Sequence, residues 1–250
     1  MKIKAACLLC QLEEASDWTA TVELDKWPYI ETNCENGHRQ RFMLSTELYE
    51  LLFEQATRCL MDGYYREAIG TYNAALERFF EYAIEMMLTT KANIEFTDFW
   101  KNISNQSERQ LGAYYALWPV TFNELPTKLD TKKVELRNAV VHKGKLASRK
   151  EAEEFGEYVY NYIMAHAAKI NELAPGLPVT HIVRIVRQCK KDFENESKDP
   201  IYVEVQGEQS VLATGFVRAS CLLSNPNVKS YADCLNQNFD NQYLELVYSY

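Results

Sequence analysis

No stretch of the 250-residue chain approaches the roughly eighteen uncharged apolar residues that a membrane-spanning helix needs, which excludes an ordinary helical membrane protein. The opening Met1-Lys2-Ile3-Lys4-Ala5-Ala6-Cys7 lacks the apolar core of a secretory signal, so the expected location is cytoplasmic. An even cysteine framework is missing too. Seven cysteines spread over a chain of this size suit reduced thiols or metal ligands better than disulfides, and a secreted protein is not expected. Positive charge is in deficit: the formal net charge of -8 argues against indiscriminate binding to nucleic acid, whose non-specific affinity comes from neutralising phosphates. Internal repeats and low-complexity tracts are also absent.

What is present is enough for a sizeable core, with 47% hydrophobic and 25% charged residues, and the length allows one domain or two. Near the N-terminus, Cys7-Leu8-Leu9-Cys10 forms a C-x2-C knuckle, and Cys34-Glu35-Asn36-Gly37-His38 adds a thiol and an imidazole. Four such ligands in two close pairs, Cys7, Cys10, Cys34 and His38, suit tetrahedral zinc in a closed, structural site. Between them, residues 20–24 and 29–32 read as short strands. Met1 to Arg41 holds too few large apolar residues to fold alone, so a metal cross-link accounts for its order. The segment resembles a zinc ribbon whose second knuckle is CENGH. Reduced structural cysteines beside a surface histidine are the plainer alternative.

Helical patterning follows. Ser45 or Thr46 can cap a helix with Leu48, Leu51, Leu52, Ala56 and Cys59 on one face, ending at Gly63. Tyr65, Ala68, Ile69, Tyr72, Ala75, Leu76, Phe79, Phe80, Ala83 and Met87 then step by threes and fours, an apolar stripe about six turns long that can organise a bundle. Glu77 sits beside this stripe, either facing a polar pocket or solvated. Further helices are expected from Thr97 or Asp98 to Pro119, from about Thr131 inward through Val134, Leu136, Val140 and Val141 to a stop at Gly144, and from a capping box at Ser148 to Glu151 up to Pro175. The buried side of that last helix is Ala152, Phe155, Val159, Tyr162, Ile163 and Ile170. Past the Pro175-Gly176-Leu177-Pro178 linker, Ile182, Val186, Cys189 and Phe193 suggest a helix. Residues 201–206, 211–217 and 244–248 then alternate like strands. Cys189, Cys221 and Cys234 read as core thiols, and His166 and His181 as surface or boundary histidines. The expected fold is mainly α, with three parts: 1–44, 45–175 as an antiparallel helical bundle, and 179–250 as a small α+β appendage.

The chemistry concentrates at Arg137-Asn138-Ala139-Val140-Val141-His142-Lys143-Gly144-Lys145. Residues 131–150 carry seven Lys or Arg against one acid, Glu135, a local basic patch that suits a polyanion and includes Lys143, Lys145, Arg149 and Lys150. Arginine keeps its charge while histidine exchanges protons near neutrality, so the two suit phosphodiester cleavage. A neutral His142 can take the proton of a ribose 2′-hydroxyl while Arg137 stabilises charge on the phosphate, with no catalytic metal and with DNA resistant. Five residues along an ideal helix turn by about 500°, leaving the two side chains roughly 140° apart. The helix must therefore relax at its end, or two copies must pool their side chains. Asn138 lies four residues before His142, shares its face and can orient the imidazole or the scissile phosphate. An ion pair of Arg137 with Glu135 or a neighbouring helix, with His142 as a helix-end residue favoured by the dipole, is the structural alternative.

The run RNAVVH, continued by KG, after the long helix GYYREAIGTYNAALERFFEYAIEMML, resembles the HEPN domain over roughly residues 45–175. That resemblance implies a metal-independent ribonuclease that dimerises to build its site, often a toxin or antiviral defence effector with a partner protein, or else a non-catalytic nucleotide-binding or adaptor relative. Arg137 and His142 would be catalytic, with Asn138 and Glu77 assisting. The zinc-ribbon-like start and the α+β end are additions to that pattern. A metalloenzyme at the Cys/His site is less favoured, because four protein ligands fill zinc's tetrahedron.

Overall fold

A computed structural model describes residues 2–7, 10, 19–24, 27–37, 39–44, 46–91, 96–173, 213–219, 221–237 and 243–248. They fall into two compact units, one built from Met1–Glu47, Ile182–Asn225 and Asn238–Tyr250, the other from Leu48–His181 and Pro226–Gln237. The expected helix at 182–193 and strand at 201–206, together with Ser45, His38, His181 and Cys189, lie outside the described residues.

The first unit is a six-stranded sheet. Its strands are β1 (Lys2–Ala6), β2 (Thr19–Glu23), β3 (Tyr29–Asn33), β4 (Arg39–Leu44), β5 (Ala213–Ala219) and β6 (Tyr243–Tyr248), in the spatial order β2-β1-β6-β5-β4-β3. β1 pairs with β2 and β3 with β4 as antiparallel neighbours, while β6 runs parallel to β1, β5 parallel to β4, and β5 and β6 are antiparallel. One expectation is corrected here. The N-terminal and C-terminal segments are not separate modules, because the late strands supply the middle of the sheet. Hydrogen-bonding capacity explains this: two isolated hairpins leave four edges, and inserting β5 and β6 between them satisfies two.

The sheet must curl. Laid flat, its outermost strands would be about 24 Å apart, at about 4.8 Å per step. Yet β2 and β3 are consecutive, and the short connection between Glu23 and Tyr29 spans at most about 20 Å. The thiols of Cys7, just past β1, and Cys34, just past β3, lie within 4.8 Å of each other although their strands are four places apart in the order. The two margins therefore approach, as in a barrel.

The second unit is helical, and the described residues of the chain are mainly helical. Its elements are α1 (Leu48–Met61), α2 (Tyr65–Lys91), α3 (Phe96–Trp100), α4 (Ser107–Phe122), α5 (Thr131–His142), α6 (Arg149–Leu173) and the short α7 (Tyr231–Leu235). The stripe on α2 is the centre of this unit: all of its predicted members except half-buried Tyr65 are buried, packed against α1, α4, α5 and α6. The expected core face of α6 is buried throughout. At the start of α6 the Ser148 and Glu151 amides each bond the other's side chain, at 2.9 and 3.3 Å, which is the capping box.

Three local expectations are overturned. Pro119 does not end α4, which continues to Phe122 and closes on Asn123 at φ 56°; in the last turn the missing N–H forfeits a single bond. Val141 is 39% exposed, because the narrow buried face of α5 is centred on Val140. His166 is buried, stacked on Tyr162 at 4.1 Å and edge-on to Trp118, with Nδ1 2.7 Å from the Tyr162 carbonyl oxygen. Burial holds its pKa below the ordinary histidine value.

Candidate functional site

The site grows from the end of a short helix. Asp130 caps α5 by accepting from the Lys132 amide at 2.8 Å, and Gly144 at φ 70° stops it, the Lys145 amide turning back onto the Ala139 carbonyl at 3.0 Å. His142 is thereby the last residue of the helix, and it is exposed. Arg137 is half-buried, and its long side chain reaches α2. There its Nε donates to Asn73 Oδ1 at 3.1 Å, and its Nη2 stands 3.8 Å from Glu77 Oε1. Asn73 in turn donates through Nδ2 to Glu77 Oε1 at 2.9 Å.

Arg137 and His142 line one open groove despite the angle between them on the helix, because the arginine stem spans the difference. α2 contributes Asn73 and Glu77 to this groove, and the start of α4 with its approach contributes Ser104, Ser107 and Gln110. Its volume of about 480 Å3 is in the range of small-ligand sites. Asn138 lines an adjoining pocket with Leu111, Leu129 and Val134, which Arg137 also borders, and among the described residues no hydrogen bond joins it to His142. Of the two ion pairs weighed for Arg137, with Glu135 or with a neighbouring helix, the second is the one formed. The carboxylate neighbour of Arg137 is Glu77, on another helix.

The basic patch is largely neutralised by the first turns of α6. Lys145 pairs with Glu151 at 2.5 Å, Arg149 with Glu153 at 2.8 Å and Lys150 with Glu154 at 3.9 Å, while Lys133 reaches Glu154 at 3.6 Å. Lys145, together with the Ser148 hydrogen bonds, holds Glu151 at about 2, well below the usual carboxylate range. Exposed Lys143 makes no ion pair among the described residues. A run of basic residues in sequence is thus not a run of unpaired charge in space, because the acids that answer it come next in the chain.

In the sheet unit, Cys7, Cys10 and Cys34 are buried together and can hold a metal ion. The Cys10 and Cys34 sulfurs are 3.6 Å apart, the Cys10 backbone N–H donates to Cys7 Sγ at 3.4 Å, and the Asn36 side-chain Nδ2 donates to Cys10 Sγ at 3.1 Å. Gly37, at φ 81°, makes the turn after Cys34, and its amide closes onto the Cys34 carbonyl at 2.9 Å. His38, the expected fourth ligand, lies outside the described residues.

No protein-family model, curated protein or solved structure matches the chain. Several residues of the groove were not anticipated, among them Ser104, Ser107, Gln110 and, in contact with Arg137, Asn73. Its signal was available, since Asn73 and Glu77 are four residues apart on a helix whose apolar stripe fixes which face they occupy.

Proposed function

We propose that the helical unit is a metal-independent endoribonuclease acting as a homodimer, with Arg137 and His142 as its catalytic pair. The observation that carries this reading is the single groove joining a permanent cation to a titratable imidazole. Neutral His142 takes the proton of a ribose 2′-hydroxyl. The 2′-oxygen bonds to phosphorus as the bond to the 5′-oxygen breaks, Arg137 stabilises the charge gathered on the non-bridging oxygens, and the departing oxygen takes up a proton from the imidazolium. The products are a 2′,3′-cyclic phosphate and a 5′-hydroxyl. A second protomer meeting at the exposed end of α5 would complete the site and double its cations, and Lys143, without an ion pair among the described residues, is available to the RNA strand. A toxin or defence role, restrained by a partner protein, rests on the resemblance to HEPN domains. In the sheet unit, zinc would be held by Cys7, Cys10, Cys34 and His38 as a structural cross-link. Zinc–sulfur bonds of about 2.3 Å set tetrahedral sulfurs about 3.8 Å apart, close to the Cys10 to Cys34 separation.

Incubation of the purified protein with RNA in chelator, its fold followed in parallel, tests this reading. Cyclic phosphate ends are expected, with the rate reduced by about a hundredfold or more in His142→Ala and Arg137→Ala and no cutting of DNA. Undiminished cleavage by both variants rejects the assignment. A second reading, a non-catalytic nucleotide- or RNA-binding module or dimeric adaptor, is favoured by the exposure of His142 and by its lack of any orienting hydrogen bond among the described residues. RNA bound but left intact, with affinity depending on Lys143, Lys145, Arg149 and Lys150 more than on His142, would decide for it.

A further inference from the structure

The contacts around Arg137 assign each edge of its guanidinium a different task. Asn73 sits between the arginine and Glu77. Its carbonyl oxygen accepts from Arg137 Nε at 3.1 Å and its amide nitrogen donates to Glu77 Oε1 at 2.9 Å. Only one orientation of the carboxamide serves both neighbours, since a flipped amide would set donor against donor and oxygen against carboxylate. The Nε edge is therefore fixed. The Nη groups carry the remaining donors, and their nearest carboxylate oxygen is at 3.8 Å, too far for a hydrogen bond and near enough for attraction. The arginine and glutamate side chains are 22% and 31% exposed, so this attraction is partly screened and can be exchanged.

We infer that Glu77 is an internal anion occupying the electrostatic position that a ligand phosphate takes at Arg137, and that Asn73 holds the guanidinium in place while one anion replaces the other. Glu77 then is neither an acid nor a base in the reaction. It is a positioning and restraining residue, keeping Arg137 turned toward the groove at some cost in affinity for phosphate. This deepens the reading of the groove as a phosphodiester site and rests on it for the identity of the ligand. It does not depend on cleavage, because a phosphate that is bound and left intact makes the same exchange.

The test uses the full chain and an oligoribonucleotide fully methylated at its 2′-oxygens, which cannot be cut by its own hydroxyl, with binding followed by fluorescence anisotropy and inorganic phosphate as competitor. Glu77→Gln is expected to tighten binding about two- to fivefold, the range a partly screened ion pair allows. Asn73→Leu, close in shape but unable to accept from Nε, is expected to weaken it about threefold or more, with Asn73→Ser as a second variant should the leucine disturb α2. In an Arg137→Ala background both effects should vanish. Weaker or unchanged binding by Glu77→Gln, or a gain of equal size without Arg137, would overturn the inference, as would a wild-type protein that binds no strand. Failure of the nuclease reading looks different: the methylated strand is bound with these dependences, and unmodified RNA stays whole.

Discussion

The two units are assembled over very different distances in sequence. α2 packs chiefly on its predecessor α1 and on α6, with α4 and α5 between them in sequence, whereas β1 and β4 find their central neighbours in β6 and β5, Lys2 facing Tyr243 and Gln40 facing Ala213. They also differ in what fastens them. The helical unit has large apolar side chains with almost no exposed surface, among them Phe53, Ile69, Tyr72, Phe79 and Trp118. The sheet brings three thiols together where its margins approach. Burial of a continuous stripe specifies one unit, while in the other the pairing of distant strands is accompanied by a buried thiol cluster able to hold a metal.

The largest effect should come from the cross-link. Stripping the metal with a strong chelator, or replacing Cys10 with Ser, is expected to abolish the dispersed amide resonances of β1, β3 and β4 while helical circular dichroism persists, on the scale of about 10 kcal/mol that structural zinc contributes to small folds. A sheet indifferent to both would reduce the thiols to packing groups and erase the contrast. Next, Phe79→Ala, emptying a fully buried position on α2, should cost about 3–5 kcal/mol in urea unfolding of the helical unit. Smaller is the acid dependence carried by His166. Its folded pKa is lowered by burial, so as pH falls below the ordinary histidine value the unfolded chain takes up the proton first, and stability is lost. His166→Phe should flatten that limb of the stability curve. The smallest effect belongs to Glu151→Gln at the capping box, about 0.5–1 kcal/mol given its exposure. Because the folded pKa is depressed to about 2, that contribution is present above the ordinary carboxylate range and fades as pH drops toward 2.

Legibility followed the same division. The α2 stripe, the Gly144 stop and the Ser148 to Glu151 box could be read because each is set within a few residues by spacing or backbone conformation. β2 and β3 were legible as strands, but their partners were not, since pairing depends on segments far along the chain. His166 stood at helical spacing from Tyr162, Ile163 and Ile170, a local sign of burial that its residue type masked, while Tyr114 and Trp118, which enclose it from another helix, were not legible. The groove was half legible. Arg137 and His142 stood out by chemistry and Glu77 by its place beside the stripe; the spacing of Asn73 to Glu77 placed it on the same flank, but its contact with an arginine from another helix was not legible.

The order of strands has a consequence for the protein's birth. On a ribosome the hairpins β1-β2 and β3-β4 emerge first, and the strands that will lie between them are not made until after residue 212. At about 5–20 residues per second they wait on the order of ten seconds or more with bare margins. An early-loaded metal at the cysteines would hold those two hairpins side by side through the interval, leaving a slot of the right width for the last strands to enter.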